Sequence, residues 1–374
     1  MDLFSIPTPR VFVDRPRLAR NIAAMQARAS SAGVRLRPHA KTHKSPAIAR
    51  MQLDAGAVGL CCAKLGEAEV FAAAGITDIR LPYPINPSNA SRVVALLDRG
   101  VRLSIIVDDG DVAAAWSAAM VRAGRRLDVL VKVDVGLHRC GVDPSSPTVV
   151  DTIRSVSDLA GVRLLGLLSH AGHGYHAMSE AELIAIADKE IAILTSLAGR
   201  ARDAGVEIGE ISVGATPTAR FITRQPGATE MRPGNYVFFD RTQVGLGSAT
   251  LDDCALWIVS TVVSRPAPTR INFDAGSKTL TNDGVRGFGT HVGHGLVCRD
   301  LGHPTPDSSI VIERLSEEHG TARVPADCPL QIGDRVRILP NHSCVVSNLM
   351  DELLVADGTS IVDTLPVAAR GRIW

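Results

Sequence analysis

Residues 37–44, with the sequence RPHAKTHK, bring together two lysines, two histidines and an arginine directly after a short run whose alternating apolar residues predict a β-strand. Lysine is among the residue types that are least often buried. A partly desolvated lysine can lose its proton near neutral pH, and the neutral amine can then attack a carbonyl carbon and form a Schiff base. The segment is therefore typical either of a nucleophilic lysine at a strand end or of a basic strand end in solvent.

A second candidate cluster lies in residues 340–344, with the sequence PNHSC. His342 and Cys344 are two residues apart, and on an extended segment their side chains would point the same way. A nitrogen and sulfur pair of this kind suits zinc or another borderline divalent metal, with open positions left for water or substrate. The alternative interpretation is a buried cysteine beside a loop histidine.

Further polar residues follow other predicted strands. Residues 134–141 (DVGLHRCG) contain Arg139, which can bond an anionic oxygen or pair with Asp134. Residues 170–176 (HAGHGYH) contain three histidines, a pattern that favours one functional histidine and two bystanders. The loops 214–218 and 232–236 supply glycines, hydroxyls and free N–H groups of the kind that bind a phosphate.

The elements that must position these residues alternate between strand and helix patterns. Such alternation predicts parallel strands with crossover helices, and eight units match a closed (β/α)₈ barrel of TIM type, with chemistry at the C-terminal ends of its strands. A doubly wound open sheet is the alternative. The predicted strands are 34–40, 57–63, 78–83, 102–107, 127–133, 162–169, 210–214 and 230–237, and the predicted helices include 65–74, 90–97, 112–123, 149–157 and 180–204.

After residue 240 the pattern changes to short β-rich runs with turn signals, which predicts a C-terminal, mainly β domain. We expect three parts: residues 1–18, whose strand joins the β domain, a barrel at 19–239, and the β domain with the His-x-Cys pair at 240–374. The β-rich runs are 254–263, 270–273, 309–315, 335–339, 352–355 and 360–362.

The composition argues against a nucleic-acid-binding, membrane-spanning or secreted protein. The net charge of +1 offers no strong field to nucleic acid or to an anionic membrane, so neither partner is expected. No apolar run reaches the roughly 18 residues that span a bilayer. The seven scattered cysteines do not form a disulfide framework, and with an N-terminus unlike a signal peptide they favour a cytoplasmic protein.

Taken together, residues 37–44, 134–142, 232–236, 316–320 (SEEHG) and 340–344 resemble the D-threonine aldolase and D-serine dehydratase family of fold-type III pyridoxal 5'-phosphate (PLP) enzymes. The resemblance covers nearly the whole chain. It implies an alanine-racemase-like barrel with a β domain, a small D-amino acid as substrate, and a homodimer. A divalent metal, zinc, manganese or magnesium, would act beside PLP.

The resemblance also implies roles for individual residues. Lys41 would be the Schiff-base lysine, and His342 would be both a catalytic residue and, with Cys344, a metal ligand. One departure stands out, because an aromatic residue is expected where this chain has His170. The remaining cofactor contacts implied are Arg139 at the phenolic oxygen, His173, and Gly214, Thr216, Gly234 and Asn235 at the phosphate.

The same set of residues, with PLP and a metal, could carry out either of two reactions. Retro-aldol cleavage of a D-threonine-like substrate gives glycine and an aldehyde, and dehydration gives a 2-oxo acid and ammonia. The His-x-Cys pair resembles the dehydratases, whereas residues 274–278 (DAGSK) and 348–352 (NLMDE) resemble the aldolases, so cleavage is the leading expectation. A racemase is disfavoured because all three tyrosines lie in the barrel half. A non-catalytic PLP carrier and a metal-binding barrel without PLP are further alternatives.

Overall fold

The computed structural model describes residues 1–374 and contains two β-sheets. The chain begins with strand β1 (Arg10–Asp14) and helix α1 (Arg15–Ser31). Asp14 caps this helix by accepting the N–H of Arg17 at 3.0 Å, and a proline lies in its first turn.

Eight parallel strands follow and form the first sheet, in the order β2-β9-β8-β7-β6-β5-β4-β3. A parallel bridge between His39 and Cys61 joins the two ends of this order, so the sheet closes on itself. Closure confirms the (β/α)₈ barrel and excludes the doubly wound sheet. The strands are β2 (Arg35–Leu36), β3 (Leu60–Cys61), β4 (Asp78–Pro84), β5 (Arg102–Val107), β6 (Leu127–Lys132), β7 (Val162–Leu168), β8 (Glu210–Val213) and β9 (Glu230–Met231).

A helix follows each barrel strand, and α1 packs against the first strand. None of the helices combines the length and apolar character needed to cross a membrane. The helices after the barrel strands are α2 (Pro46–Asp54), α3 (Leu65–Ala73), α4 (Ala90–Asp98), α5 (Gly110–Arg122), α6 (Val149–Ser157), α7 (Glu180–Asp203), α8 (Thr216–Ala219) and α9 (Arg241–Gly245).

The second sheet has the central order β13-β14-β11-β10-β1-β16-β17, with β15 pairing β10 and β12. Strand β1 pairs antiparallel with β10 and parallel with β16, so the N-terminal strand lies inside this sheet. One hydrophobic cluster runs through both sheets. The C-terminal elements are β10 (Leu256–Ala267), β11 (Arg270–Phe273), α10 (Ser277–Leu280), β12 (Leu296–Cys298), β13 (Val311–Leu315), β14 (Gly320–Arg323), β15 (Arg335–Leu339), α11 (Ser343–Leu349), β16 (Glu352–Asp357) and β17 (Ser360–Pro366).

Three barrel strands are much shorter than their sequence patterns predict. The patterns at 34–40, 57–63 and 230–237 reduce to two paired residues each. After β2 and β9 the chain leaves the ladder and forms short 3₁₀ turns at Ala40–Thr42 and Asn235–Val237. The sequence carries strand-like residues there, but the backbone turns inward over the mouth of the barrel.

A charged network fills the end of the barrel away from that mouth. The fully buried Glu230 carboxylate accepts hydrogen bonds from Arg37 at 2.7 Å, from Ser212 at 2.6 Å and from Arg80. Burial alone would raise the pKa of Glu230, but the two guanidinium groups lower it to about 2. The barrel thus keeps a paired carboxylate in its interior at neutral pH.

We expect Glu230→Ala to lower the free energy of unfolding by about 3–5 kcal/mol, because it leaves two buried guanidinium groups without their shared acceptor. Urea unfolding followed by circular dichroism measures this. The matched control is Glu207→Ala, which removes an exposed glutamate outside every ion pair. A loss for Glu230→Ala no larger than that of the control would contradict the stabilising role.

The same pair of proteins gives a pH test. A carboxyl group whose folded pKa is depressed contributes stability above its unfolded pKa of about 4.3 and loses it as the pH falls through the folded value. The stability difference between the wild type and Glu230→Ala should therefore be constant near neutral pH and shrink between about pH 4 and pH 2.

Candidate active site

A cavity of about 770 Å³ opens at the C-terminal ends of the barrel strands, where the second domain covers them. Its wall includes Lys41, Arg139 and Thr216 from the barrel and His342 and Cys344 from the C-terminal domain. The volume lies within the usual range for small-molecule and cofactor sites. The structure therefore gathers most of the residues predicted from the sequence into one space between the two domains.

Lys41 projects into this cavity from the 3₁₀ turn Ala40–Thr42. The residue is exposed within the cavity, so its amine is accessible to a small molecule. Burial lowers the pKa of Lys41, and Arg139 and Arg232 lower it further, while Cys344 and Glu67 act in the opposite direction. The result is an amine with an increased neutral fraction, which is the form that attacks a carbonyl carbon.

Two histidines beside Lys41 are held neutral. Burial and the positive charges of Lys41 and Arg232 place the pKa values of His39 and His170 well below their usual range. His170 Nδ1 lies 3.2 Å from the carbonyl oxygen of Gly214, so this nitrogen carries the proton and Nε2 does not. The second histidine of the 37–44 segment, His43, is instead buried against Gln52.

The side chain at position 170 lies in the cavity wall, whereas His173 does not. His173 packs beside Gly136, where a Cβ atom would lie 3.4 Å from its ring. The short 3₁₀ helix Gly172–His176 turns this side chain away after β7. The structure thus brings His170 and His176, but not His173, to the predicted cofactor space.

A buried glutamate that the sequence analysis did not single out organises these strand ends. One oxygen of Glu190 accepts the Ser169 hydroxyl at 2.6 Å and the N–H groups of Ala171 at 3.1 Å and Gly214 at 3.2 Å. It therefore holds the residues on both sides of His170 and the start of the loop after β8. Its one sequence signal is a charged residue on the buried face of α7.

The loops predicted to bind phosphate meet at the same place. Thr216 and Asn235 are the first residues of short helices, and no acceptor in the chain takes their N–H groups. Gly234 packs so closely on the lysine turn that a Cβ atom would lie 2.9 Å from the His39 carbonyl oxygen and 3.0 Å from Thr42 Oγ1. Because the Gly214 N–H already donates to Glu190, Gly214 contributes a positive-φ turn and not a free donor.

His342 and Cys344 come together, but not on an extended segment as predicted. Residues Ser343–Leu349 form helix α11, with His342 at the N-cap and Cys344 in the first turn. The helix forms despite its valines and serines because the buried Asp240 carboxylate accepts the Ser343 N–H at 2.9 Å. The prediction of an extended segment is therefore wrong, whereas the juxtaposition of the two side chains holds.

Polar neighbours orient this pair. His342 Nδ1 lies 2.6 Å from Asp283 Oδ2, and Cys344 Sγ lies 3.3 Å from Thr42 Oγ1. Burial alone would lower the pKa of His342, but Cys344, Asp240 and Asp283 raise it to about 10. Burial opposes ionisation of Cys344, yet its hydrogen bond and charge interaction with His342 lower the thiol pKa. Cys344 is thus poised to act as a thiolate.

The residues present fit both groups that the resemblance implies. For PLP, the cavity offers an amine of lowered pKa together with two unpaired backbone N–H groups at buried strand ends. For a divalent metal, it offers His342 and Cys344, which bind zinc as a neutral imidazole and a thiolate, so metal binding would displace the proton that His342 holds in the free protein. No group of three or more His, Cys, Asp or Glu side chains surrounds a common point, so a metal here would keep open positions for water or substrate.

Two family models match the chain. Residues 13–242 match the model described as "Alanine racemase, N-terminal domain", and residues 255–356 match "Putative serine dehydratase domain". The D-threo-3-hydroxyaspartate dehydratase of Delftia sp. (strain HT23) is 36% identical over 96% of this chain and 96% of that protein. The D-threonine aldolase of Arthrobacter sp is 33% identical over 99% of this chain and 94% of that protein.

The chain is also similar to solved structures of a dehydratase and an aldolase. The Delftia dehydratase superposes with a TM-score of 0.92 at 35% identity, covering 98% of both chains. The D-threonine aldolase from Filomicrobium marinum superposes with a TM-score of 0.87 at 30% identity, covering 100% of this chain and 98% of the other. One mutant structure of the Delftia dehydratase is described as being in a metal-free form.

We expect Gly234→Ala to weaken PLP binding by about tenfold, because the added methyl group displaces the turn that carries Lys41. Titration of the apoprotein with PLP, followed by the absorbance of the lysine-bound cofactor, measures the dissociation constant. The matched control is Gly199→Ala on helix α7, where a Cβ atom has nothing within 4 Å. Equal affinities for the two variants would contradict the packing argument.

Proposed function

The chain belongs to the alanine-racemase-like family of PLP enzymes that includes D-threonine aldolases and D-serine and 3-hydroxyaspartate dehydratases, and from this membership we propose that it is a metal-assisted lyase of D-3-hydroxy amino acids. One observation carries the proposal. The cavity that contains Lys41 also contains the His342 and Cys344 pair, contributed by the other domain. Neither a racemase nor a non-catalytic carrier needs that pair.

On the barrel side, the neutral amine of Lys41 would bind the aldehyde of the cofactor. The N–H groups of Thr216 and Asn235 would hold the phosphate, and the Arg139 guanidinium would bond the phenolic oxygen. PLP, when bound there, supplies a ring that withdraws electrons from the bonds at the substrate Cα. Neutral His39 and His170 line the same wall without adding positive charge beside the Lys41 amine.

On the other side, His342 and Cys344 would hold the divalent metal, His342 through an imidazole that releases its proton and Cys344 through its thiolate. A metal in this place supplies Lewis-acid stabilisation to the β-hydroxyl of the substrate. Asp283 keeps the His342 ring oriented by a 2.6 Å contact, and Thr42 contacts the Cys344 sulfur at 3.3 Å. In this arrangement the α-amino group of a D-3-hydroxy amino acid would face Lys41 and its hydroxyl would face α11.

The leading proposal is retro-aldol cleavage. The β-hydroxyl loses its proton, the Cα–Cβ bond breaks, and the substrate divides into an aldehyde and glycine after Cα gains a proton. Support comes from residues 274–278 and 348–352, which resemble the aldolase branch, and from the 33% identity to the Arthrobacter aldolase. Asn348 belongs to the second of these segments and lies in the cavity wall.

Dehydration is the second candidate, favoured by the His-x-Cys pair and by the similarity to the Delftia dehydratase. In this reaction the Lys41 Nζ takes the α-proton and the β-hydroxyl leaves. The resulting enamine hydrolyses to a 2-oxo acid and ammonia. The two reactions therefore differ in which bond at Cα breaks first, although the same residues hold the substrate.

The proposal also covers the oligomeric state and the cellular location of the protein. We infer that the active form is a homodimer, since two-fold dimers are the commonest homo-oligomers and the family resemblance favours one. We also infer a cytoplasmic location, which agrees with seven cysteines that form no disulfide.

The holoenzyme supplied with Zn²⁺, Mn²⁺ or Mg²⁺ should convert D-threonine to glycine and acetaldehyde. Aldehyde and glycine are assayed against 2-oxo acid and ammonia, with D-serine and D-threo-3-hydroxyaspartate as parallel substrates. Formation of 2-oxo acid without aldehyde would reject the aldolase proposal and support the dehydratase. Lys41→Ala should lower either activity by about 10²-fold or more, because no other cavity amine occupies that position.

Removal of the metal by a chelator should abolish the activity, and re-addition of the metal should restore it. His342→Ala and Cys344→Ala should each bind less metal, as measured by elemental analysis after gel filtration. The control is Cys328→Ala, a buried cysteine outside the cavity, which should retain its metal. Full activity after complete chelation would remove the metal from the proposal.

A further inference from the structure

Two side-chain contacts join the lysine turn of the barrel to helix α11 of the other domain. Thr42 Oγ1 lies 3.3 Å from Cys344 Sγ, and Lys44 Nζ donates a 2.6 Å hydrogen bond to Asn348 Oδ1. Cys344 and Asn348 are four residues apart and thus lie on the same face of α11. The lysine turn therefore contacts α11 on two successive turns of that helix.

Lys44 is fixed in place on the barrel side. It adopts a positive φ of 49°, its N–H donates to the Ala40 carbonyl oxygen at 2.8 Å, and its own carbonyl oxygen accepts the Ala369 N–H at 3.0 Å. Its side chain is 7% exposed and lies 3.2 Å from Glu67 Oε1. The buried ammonium is therefore anchored by backbone and side-chain contacts together.

Glu67 is itself immobilised. Its second carboxylate oxygen accepts the N–H of Ala63 at 2.6 Å and caps the start of α3. Glu67 is 2% exposed, so it offers Lys44 a buried, rigid partner. A continuous path then runs from the α3 cap through the Lys44 ammonium to Asn348, one turn after Cys344.

We infer that Lys44 is a positioning residue that couples cofactor binding at Lys41 to metal binding at His342 and Cys344; the inference rests on the proposed function. The contact between Lys44 and Asn348 ties α11 to the anchored end of the lysine turn, so cofactor attachment at Lys41, which orders the rest of that turn, also orders α11. Metal binding then costs less conformational entropy because α11 is already ordered, so the metal binds more tightly. Because such coupling is reciprocal, the metal tightens PLP binding by the same factor.

The experiment measures four dissociation constants for each protein. Zn²⁺ affinity is measured by competition with a chromophoric chelator, with and without PLP, and PLP affinity is measured by absorbance, with and without Zn²⁺. In the wild type each ligand should tighten the other by about fivefold or more, and the two factors should agree. In Asn348→Ala, which breaks the contact without a change in charge, the factor should fall toward one.

Lys44→Met provides a second variant. Loss of its positive charge changes the Zn²⁺ affinity in the same direction with and without PLP, so this effect largely cancels from the coupling factor, which should still fall toward one. Asn348→Asp, which keeps an acceptor oxygen for Lys44, should retain the coupling. Lys64→Met removes another cavity lysine, one that packs 3.8 Å over the Tyr83 ring and makes no bond to α11, and should also retain it.

An unchanged coupling factor in Asn348→Ala and Lys44→Met, both confirmed as folded by circular dichroism, would overturn the inference. So would a wild type whose Zn²⁺ affinity is indifferent to PLP. Failure of the proposed function has a different signature, because the wild type would then fail to bind PLP at Lys41 or Zn²⁺ at the His342 and Cys344 pair.

Discussion

The site depends on one constraint, which is that the turn bearing Lys41 must lie against a helix from the other domain. Burial favours the neutral, nucleophilic amine of Lys41, whereas Cys344 on α11 opposes that change in its pKa. The same approach places Thr42 beside the Cys344 sulfur. A small shift between the domains would therefore change both the reactivity of the lysine and the surroundings of the thiolate.

The barrel keeps two groups of buried charged residues at opposite ends of its strands. Toward the N-terminal ends of its strands, Glu230 is balanced by Arg37 and Arg80, and that cluster stabilises the interior. Toward the C-terminal ends, one oxygen of Glu190 accepts from hydroxyl and backbone donors at β7 and β8. The cavity wall there contains six lysine and arginine side chains but only three aspartate and glutamate side chains. The mouth therefore carries an excess of positive charge, which suits an anionic cofactor and an amino acid carboxylate.

An inventory of residues does not distinguish cleavage from dehydration, because the two reactions place the same groups around the substrate. Lys41, the phosphate loops and the His342 and Cys344 pair serve both. The difference lies in which bond at Cα lies perpendicular to the plane of the cofactor ring, and that orientation depends on how the cavity wall holds the carboxylate and side chain of the substrate. The relatives accordingly include both activities at comparable identity.

The sequence alone determined the features that depend on local pattern. Strand and helix periodicity predicted the closed barrel and the β-rich C-terminal half, and the short motifs singled out Lys41, Arg139, His342 and Cys344, all of which line one cavity. Only the tertiary structure decided which other residues face that cavity. Glu190 joins strand ends that are distant in sequence and occupies the Gly214 N–H. The 3₁₀ helix after β7 leaves His170 and not His173 in the cavity wall. Helix α11 likewise forms where an extended segment was expected, because its first N–H is accepted by the Asp240 carboxylate, which lies about a hundred residues earlier in the chain. Such contacts between distant segments leave no local periodicity, and for that physical reason they could not be predicted from the sequence.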